Sequence, residues 1–393
     1  PNSIVIFRTE KLQKWWNKLN PEWKKVFKKF DDFKDKPTKE NLHKITNSQS
    51  INIANNYEII NLKDIYVFFN LKELNIEDTK IKNLFPLRKL KNILKINISG
   101  TQINNLSALS HLSKLSYLNC KNTFIRDLDM IKNLQNLKEI NFEFCKINSL
   151  PTEKSSFKNL NLFYLDNSMI SDSVAISFIA SHENCLLIYQ TEKLFKFWGN
   201  LPIYWKNIFR DNLKYSEKIN KKILHKLVFS KSLEFSNNYE IKNLYFLKKF
   251  LLLEELYFDK TAIKSLEEIS ELKFLRVLKC SKSPIKNLKN LEFLKNLDSL
   301  DCSDTKISNL KDLKFAKNLK NLNCAGTKIS NLKSLENLKK LEKLNCSRTE
   351  ISNLKYIFAL ENLKILEVYN TRISEKRIQM FKEKRKNCKL IFY

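Results

Sequence analysis

Apolar residues return along most of this chain at offsets too regular for an ordinary globular core. Written from Leu319, one unit reads L-K-N-L-N-C-A-G-T-K-I-S-N-L-K-S-L-E-N-L-K-K. Cys280, Cys302, Cys324 and Cys346 lie 22 residues apart, as do Thr261, Ser283, Thr305, Thr327, Thr349 and Thr371. A unit this short cannot bury its own apolar face, so the period predicts stacked strand-and-turn coils in which each neighbour completes the core.

A longer repeat overlies the short one. TEKLQKWWNKLNPEWKKVF from Thr9 returns as TEKLFKFWGNLPIYWKNIF from Thr191, an offset of 182 that also pairs His43 with His225 and NNYEI at Asn55 with NNYEI at Asn237. In each opening the apolar residues, such as Leu12, Trp15, Trp16 and Leu19, then Trp23, Val26 and Phe27, have helical spacing on either side of Pro21 or Pro202. They predict two short helices that cap the raw end of a solenoid. The closings SMISDSVAISFIASHENCLLIY and TRISEKRIQMFKEKRKNCKLIFY align at 203 rather than 182, so the second array should hold about one coil more. PNSIVIF at the start matches the ends of those closings, which predicts that residues 1–8 are the tail of an upstream module. The expected organisation is therefore 1–8, then 9–190 as cap and first array, then 191–393 as cap and second array.

The unit quoted above resembles the 22-residue class of leucine-rich repeat found in internalins and phosphatase-regulating scaffolds. Thr stands here where that pattern usually has its ladder Asn, and Cys where it usually has the last strand leucine. The resemblance implies an α/β solenoid with a parallel sheet on the concave face, formed by repeat positions three to seven. It also implies that positions three, five, seven and eight face the concavity, where such proteins bind protein partners.

Composition changes this picture little. With 3 Gly and 7 Pro there is almost no material for flexible linkers, and no run approaches the roughly 18 apolar residues of a membrane-spanning helix. Five of the eight cysteines, Cys120, Cys280, Cys302, Cys324 and Cys346, occupy an inward strand position and read as core filler rather than as disulfides or a metal set. The expected location is the cytoplasm, or the cell exterior if a leader was removed before Pro1.

The charge of +29 points first to nucleic acid or an anionic surface. Placing residues by the repeat gives six acids against two lysines on the first concave face and five against five on the second. The basic excess then belongs to the convex side, the caps and the closing segment from Arg372, mostly as Lys. A basic adaptor acting through convex and C-terminal lysines is the competing function.

Nothing in the sequence has the pattern of a catalytic site: there is no Gly-rich phosphate loop, no metal-ligand pair at helical spacing and no nucleophile elbow. The chain is expected to be non-enzymatic and to need no cofactor or metal. The favoured reading is a scaffold whose partners are one or more proteins of basic or mixed charge. Its anchors would be Tyr117, Phe144, Tyr164, Tyr257 and Tyr369, and Glu77, Asp78, Asp166, Asp259, Asp301, Asp304 and Arg348 would supply charge selectivity.

Overall fold

The computed structural model describes residues 9–31, 33, 36–215 and 218–392. The expected upstream tail at 1–8 lies outside them. The chain divides into two compact units between Leu194 and Phe195.

The first unit opens with α1 (Thr9–Lys18), α2 (Pro21–Lys28) and α3 (Lys39–Thr46). It continues as a parallel sheet of β1 (Ser50–Asn52), β2 (Glu73–Asn75), β3 (Lys95–Asn97), β4 (Tyr117–Asn119), β5 (Glu139–Asn141) and β6 (Leu162–Tyr164). After β6 come α4 (Asp172–Ser181) and the last strand, β7 (Leu186–Ile188). The second follows the same plan: α5 (Thr191–Gly199), whose first four residues still fall in the first unit, α6 (Ile203–Leu213) and α7 (Lys221–Val228) precede β8 (Ser232–Glu234), β9 (Glu255–Tyr257), β10 (Val277–Lys279) and β11 (Ser299–Asp301). It ends with β12 (Asn321–Asn323), β13 (Lys343–Asn345), β14 (Ile365–Glu367), α8 (Glu375–Lys384) and β15 (Lys389–Ile391). Eight strands stand in the second sheet against seven in the first.

Register carries the sequence period into space. Leu300 pairs with Leu322 and Leu322 with Leu344, so equal repeat positions stack along the array. Strands are only three residues long, shorter than the five positions expected, although position six and position eight still bond to the next coil, as Cys302 N does to the Asn323 carbonyl at 2.9 Å and Asp304 N to that of Ala325 at 2.7 Å. This is a leucine-rich repeat solenoid: its leucines and isoleucines face a shared dry interior, with Leu278, Ile285, Leu313, Leu335 and Ile351 at 0% exposure. The side opposite the strands is built from 3-10 turns such as Lys311–Phe315 and Lys333–Leu335.

Each opening is a three-helix cap, one helix more than the apolar spacing suggests. The missed helix in the first unit, α3, begins at a capping box in which Thr38 Oγ1 accepts from Asn41 N and Asn41 Oδ1 accepts from Thr38 N, a polar start signal that apolar spacing does not report. The cap aromatics are buried against the first coil. The Trp15 and Phe27 rings lie 5.9 and 5.0 Å from Phe68, and Trp205 lies 5.1 Å from Phe235. The closings seal the other ends, where Phe178 lies 5.6 Å from Phe163 and Phe381 5.6 Å from Phe358.

All eight cysteines are free and buried. Parallel neighbours put the thiols of Cys280, Cys302, Cys324 and Cys346 in one file within the core, where burial pushes each thiol above its ordinary value, Cys346 to about 12.

Candidate functional site

Position nine of most coils holds the Thr ladder, with Cys145 and Ser283 in its place in two. Thr101, Thr305, Thr327 and Thr349 donate Oγ1 to the position-six carbonyls of Ile98, Cys302, Cys324 and Cys346 at 2.6 to 2.7 Å. The hydroxyl satisfies a carbonyl that the turn leaves without a strand partner. Where position five is Asn or Asp, its side chain fixes the outer end of the strand. Asn75, Asn97, Asn119 and Asn141 accept through Oδ1 from the backbone N–H two residues on, at 2.8 to 3.1 Å; Asn323 and Asn345 do the same. A further Asn ladder, unforeseen from the sequence, joins the coils along their edge. Asn296, Asn318 and Asn362 donate Nδ2 to the carbonyls of Lys273, Lys295 and Lys339 in the coil before, at 2.7 to 2.8 Å. The recurring Asn two residues before position two was its visible signal.

These bonds reassign several residues expected to greet a partner. Asp301 Oδ1 accepts from Ser303 N at 2.9 Å and from Ser303 Oγ at 2.6 Å, and Oδ2 accepts from Asn323 Nδ2 at 3.0 Å; its carboxylate is held within the array. Asp259 Oδ1 accepts from Ser281 N at 2.6 Å. Asp304 pairs with Arg348 at 3.0 Å, and Glu77 accepts from Asn97 at 3.2 Å. Tyr164 and Asp166, expected as an exposed anchor and its neighbour, are both buried. Asp166 binds Thr191 N at 2.8 Å and Thr191 Oγ1 at 2.6 Å, because the chain leaving β7 passes the end of the first array as it starts α5.

What stays open on the strand side differs between the units. In the first, Phe144 is 52% exposed in a left-handed turn, with the Lys121 ammonium 5.5 Å over its ring. Tyr117 is half-buried, and its hydroxyl is pushed up by burial and by Glu139, Tyr164 and Glu77 on nearby coils; Asp78, two coils before it, is exposed. In the second, Tyr257 is half-buried, donating to Glu255 at 3.0 Å under Lys279, and Tyr369 is half-buried near Arg348.

A cleft of about 560 Å³ lies at the end of the first array, within the first unit, between Phe144, Met169, Tyr189, Gln190 and Lys193. Met169 is 64% exposed. Phe144 and Asp166 were the only residues of this cleft singled out from the sequence; Met169 lies in the closing segment, where the repeat frame stops predicting which way a side chain faces.

Among the described residues no three His, Cys, Asp or Glu side chains are placed to hold a metal ion, and no helix is long and apolar enough to cross a membrane. His225 is fully buried, its Nδ1 2.7 Å from the Lys221 carbonyl oxygen and its ring 6.0 Å from Phe229, a packing position.

No family model and no curated protein matches this sequence. Solved structures of similar fold include an internalin, InlF, from Listeria monocytogenes, 16% identical, covering 100% of this chain and 92% of that one at a TM-score of 0.38. A leucine-rich repeat protein from Leptospira interrogans is 18% identical over 100% of both chains, also at 0.38. The functional domain of InlJ from Listeria monocytogenes, which includes a cysteine ladder, is 18% identical over 83% of this chain and 74% of its own, at 0.34.

Proposed function

We propose that this leucine-rich repeat chain is a non-enzymatic scaffold that binds a protein partner through the strand side of its first array. One observation carries the reading: Phe144 and Met169, 52% and 64% exposed, stand at a cleft of about 560 Å³. Large apolar side chains over a concavity, with polar groups around them, have the make-up of an interface centre and its rim. Asp78, exposed on an earlier coil, and Glu139, on the coil that carries Phe144, favour a partner that brings Lys or Arg to that rim. The file of unpaired cysteines fits the reducing cytoplasm, where we place the protein.

A photo-crosslinking side chain at position 117 or 144 tests this in cells of the source organism. The reading expects discrete protein adducts from both positions, lost when Met169→Ala is added, and none from position 311, on the side of the second array away from its own strands. Adducts from 311 alone would overturn it.

A further inference from the structure

The basic excess does not lie at random on the side away from the strands. In the second array, Lys289, Lys311, Lys333 and Lys355 occupy repeat position fifteen of four successive coils, and all four are exposed. Because the strands pair in 22-residue register, these lysines form a row with one cation per coil, the coils about 4.8 Å apart at the sheet. Six residues farther along each coil, Lys295, Lys317 and Lys339 form a second exposed row. Among the described residues none of the seven makes an ion pair with a carboxylate; Lys339 donates to the Ala359 carbonyl. In the first array Lys63 is followed at position fifteen by Phe85, Ser107 and Asp129, so the unbroken row belongs to the second.

Two aromatic rings stand between the rows. Phe293 and Phe315 share position nineteen of adjacent coils and are 48% and 52% exposed. Lys273 lies 5.1 Å from the Phe293 centroid and Lys314 4.7 Å from that of Phe315, so cation and ring already sit together. In 284–296, 306–318 and 328–340 there are eleven lysines against Glu292, Asp312 and Glu336. The first two of those acids are half-buried beneath the rows.

We propose that this face of the second array binds single-stranded nucleic acid. The lysine rows match a line of phosphates by charge, and the Phe rings offer faces on which unpaired bases stack, which a duplex keeps to itself. Lysine acts as a point charge and does not read base edges as a forked arginine does, so binding is independent of sequence.

Fluorescence anisotropy of the full chain with a labelled oligothymidylate of about 20 nucleotides tests the assignment. Four phosphates engaged give a log–log salt slope of about −2.8, an affinity loss of about fifty-fold between about 50 and 200 mM salt. Lys311→Glu with Lys333→Glu should flatten that slope. Phe293→Ala with Phe315→Ala should weaken binding at least about fivefold with the slope kept, since stacking is worth about 1 to 3 kcal/mol per base. Lys82→Glu in the first array should change neither. All variants lie at exposed positions, and unchanged circular-dichroism melting confirms their fold. No binding at low salt, equal binding of duplex, or binding that ignores the Phe changes would overturn the proposal. The last outcome, joined by equal binding of phosphatidylserine vesicles, would mark the face as an anionic-lipid surface instead.

Discussion

Arg348 reaches back two coils to place Nη1 3.0 Å from Asp304 Oδ1, and it does so across Gly326. A Cβ at Gly326 would fall 2.1 Å from Asp304 Oδ1 and 3.3 Å from Arg348 Cζ. Asp304 and Arg348 hold the same left-handed turn at φ 55° and 56° without being glycine, so the passing side chains, rather than the backbone, require Gly here. Gly100 repeats the arrangement in the first array, where a Cβ would meet Asp78 Oδ1 at 1.8 Å.

The pair is part-exposed and should contribute no more than about 1 kcal/mol. A double-mutant cycle on Asp304→Ala and Arg348→Ala, followed by urea unfolding, is expected to show coupling in the native protein and none in Gly326→Ala. Coupling that survives Gly326→Ala would mean the side chains find another route.

Thr327→Val keeps shape but removes the donor to the Cys324 carbonyl at 2.6 Å. Leaving that buried carbonyl unbonded should cost about 1 kcal/mol, read as a lower urea midpoint at unchanged slope. Truncating the neighbouring core by Leu322→Ala should cost about 2 to 5 kcal/mol. Lys320→Ala, exposed on the next position but one, should cost little.

Asp301→Ala removes an acceptor from Ser303 and Asn323 together and should destabilise by about 1 to 2 kcal/mol. Asp301→Asn keeps the Oδ1 acceptor for Ser303 N and should recover most of it. If both variants melt like the native chain, the Asp301 bonds have no part in holding the array.

The cysteine file makes stability fall in alkali. Burial raises the folded thiol values above the ordinary one near 9, to about 12 for Cys346, so the folded state keeps protons that the unfolded chain releases. Their contribution is complete below pH about 9 and is lost as pH climbs toward about 12. Melting temperature followed across that window should decline, and Cys302→Val with Cys324→Val should decline less. A native thiol titration should find these groups unreactive, with eight reacting after denaturation.

Much of the fold was legible because a stacked repeat ties sequence position to direction. The buried leucines, the inward cysteines and the hydroxyl bonds of Thr305, Thr327 and Thr349 all follow from the period alone. The site was less legible, since facing outward is a property of the backbone whereas being free is one of neighbouring side chains. Asp301 faces outward yet is claimed by Ser303 and Asn323, a contact set by the next coil. Asp166 and Tyr164 faced outward in the repeat frame and were covered by a segment that leaves it. The alignment of Lys289, Lys311 and Lys333 was present in the sequence all along; counted as total charge, it was invisible.

The edge asparagines have one more consequence. Because Asn362 bonds to the Lys339 carbonyl just as Asn318 does to that of Lys295, excising 319–340 would hand Asn362 the carbonyl of Lys317, which has Lys340 rather than an Asn opposite it in the intact chain, and leave no rung without a mate. Reach, in such a molecule, can be lengthened or shortened by whole turns without rewriting any joint.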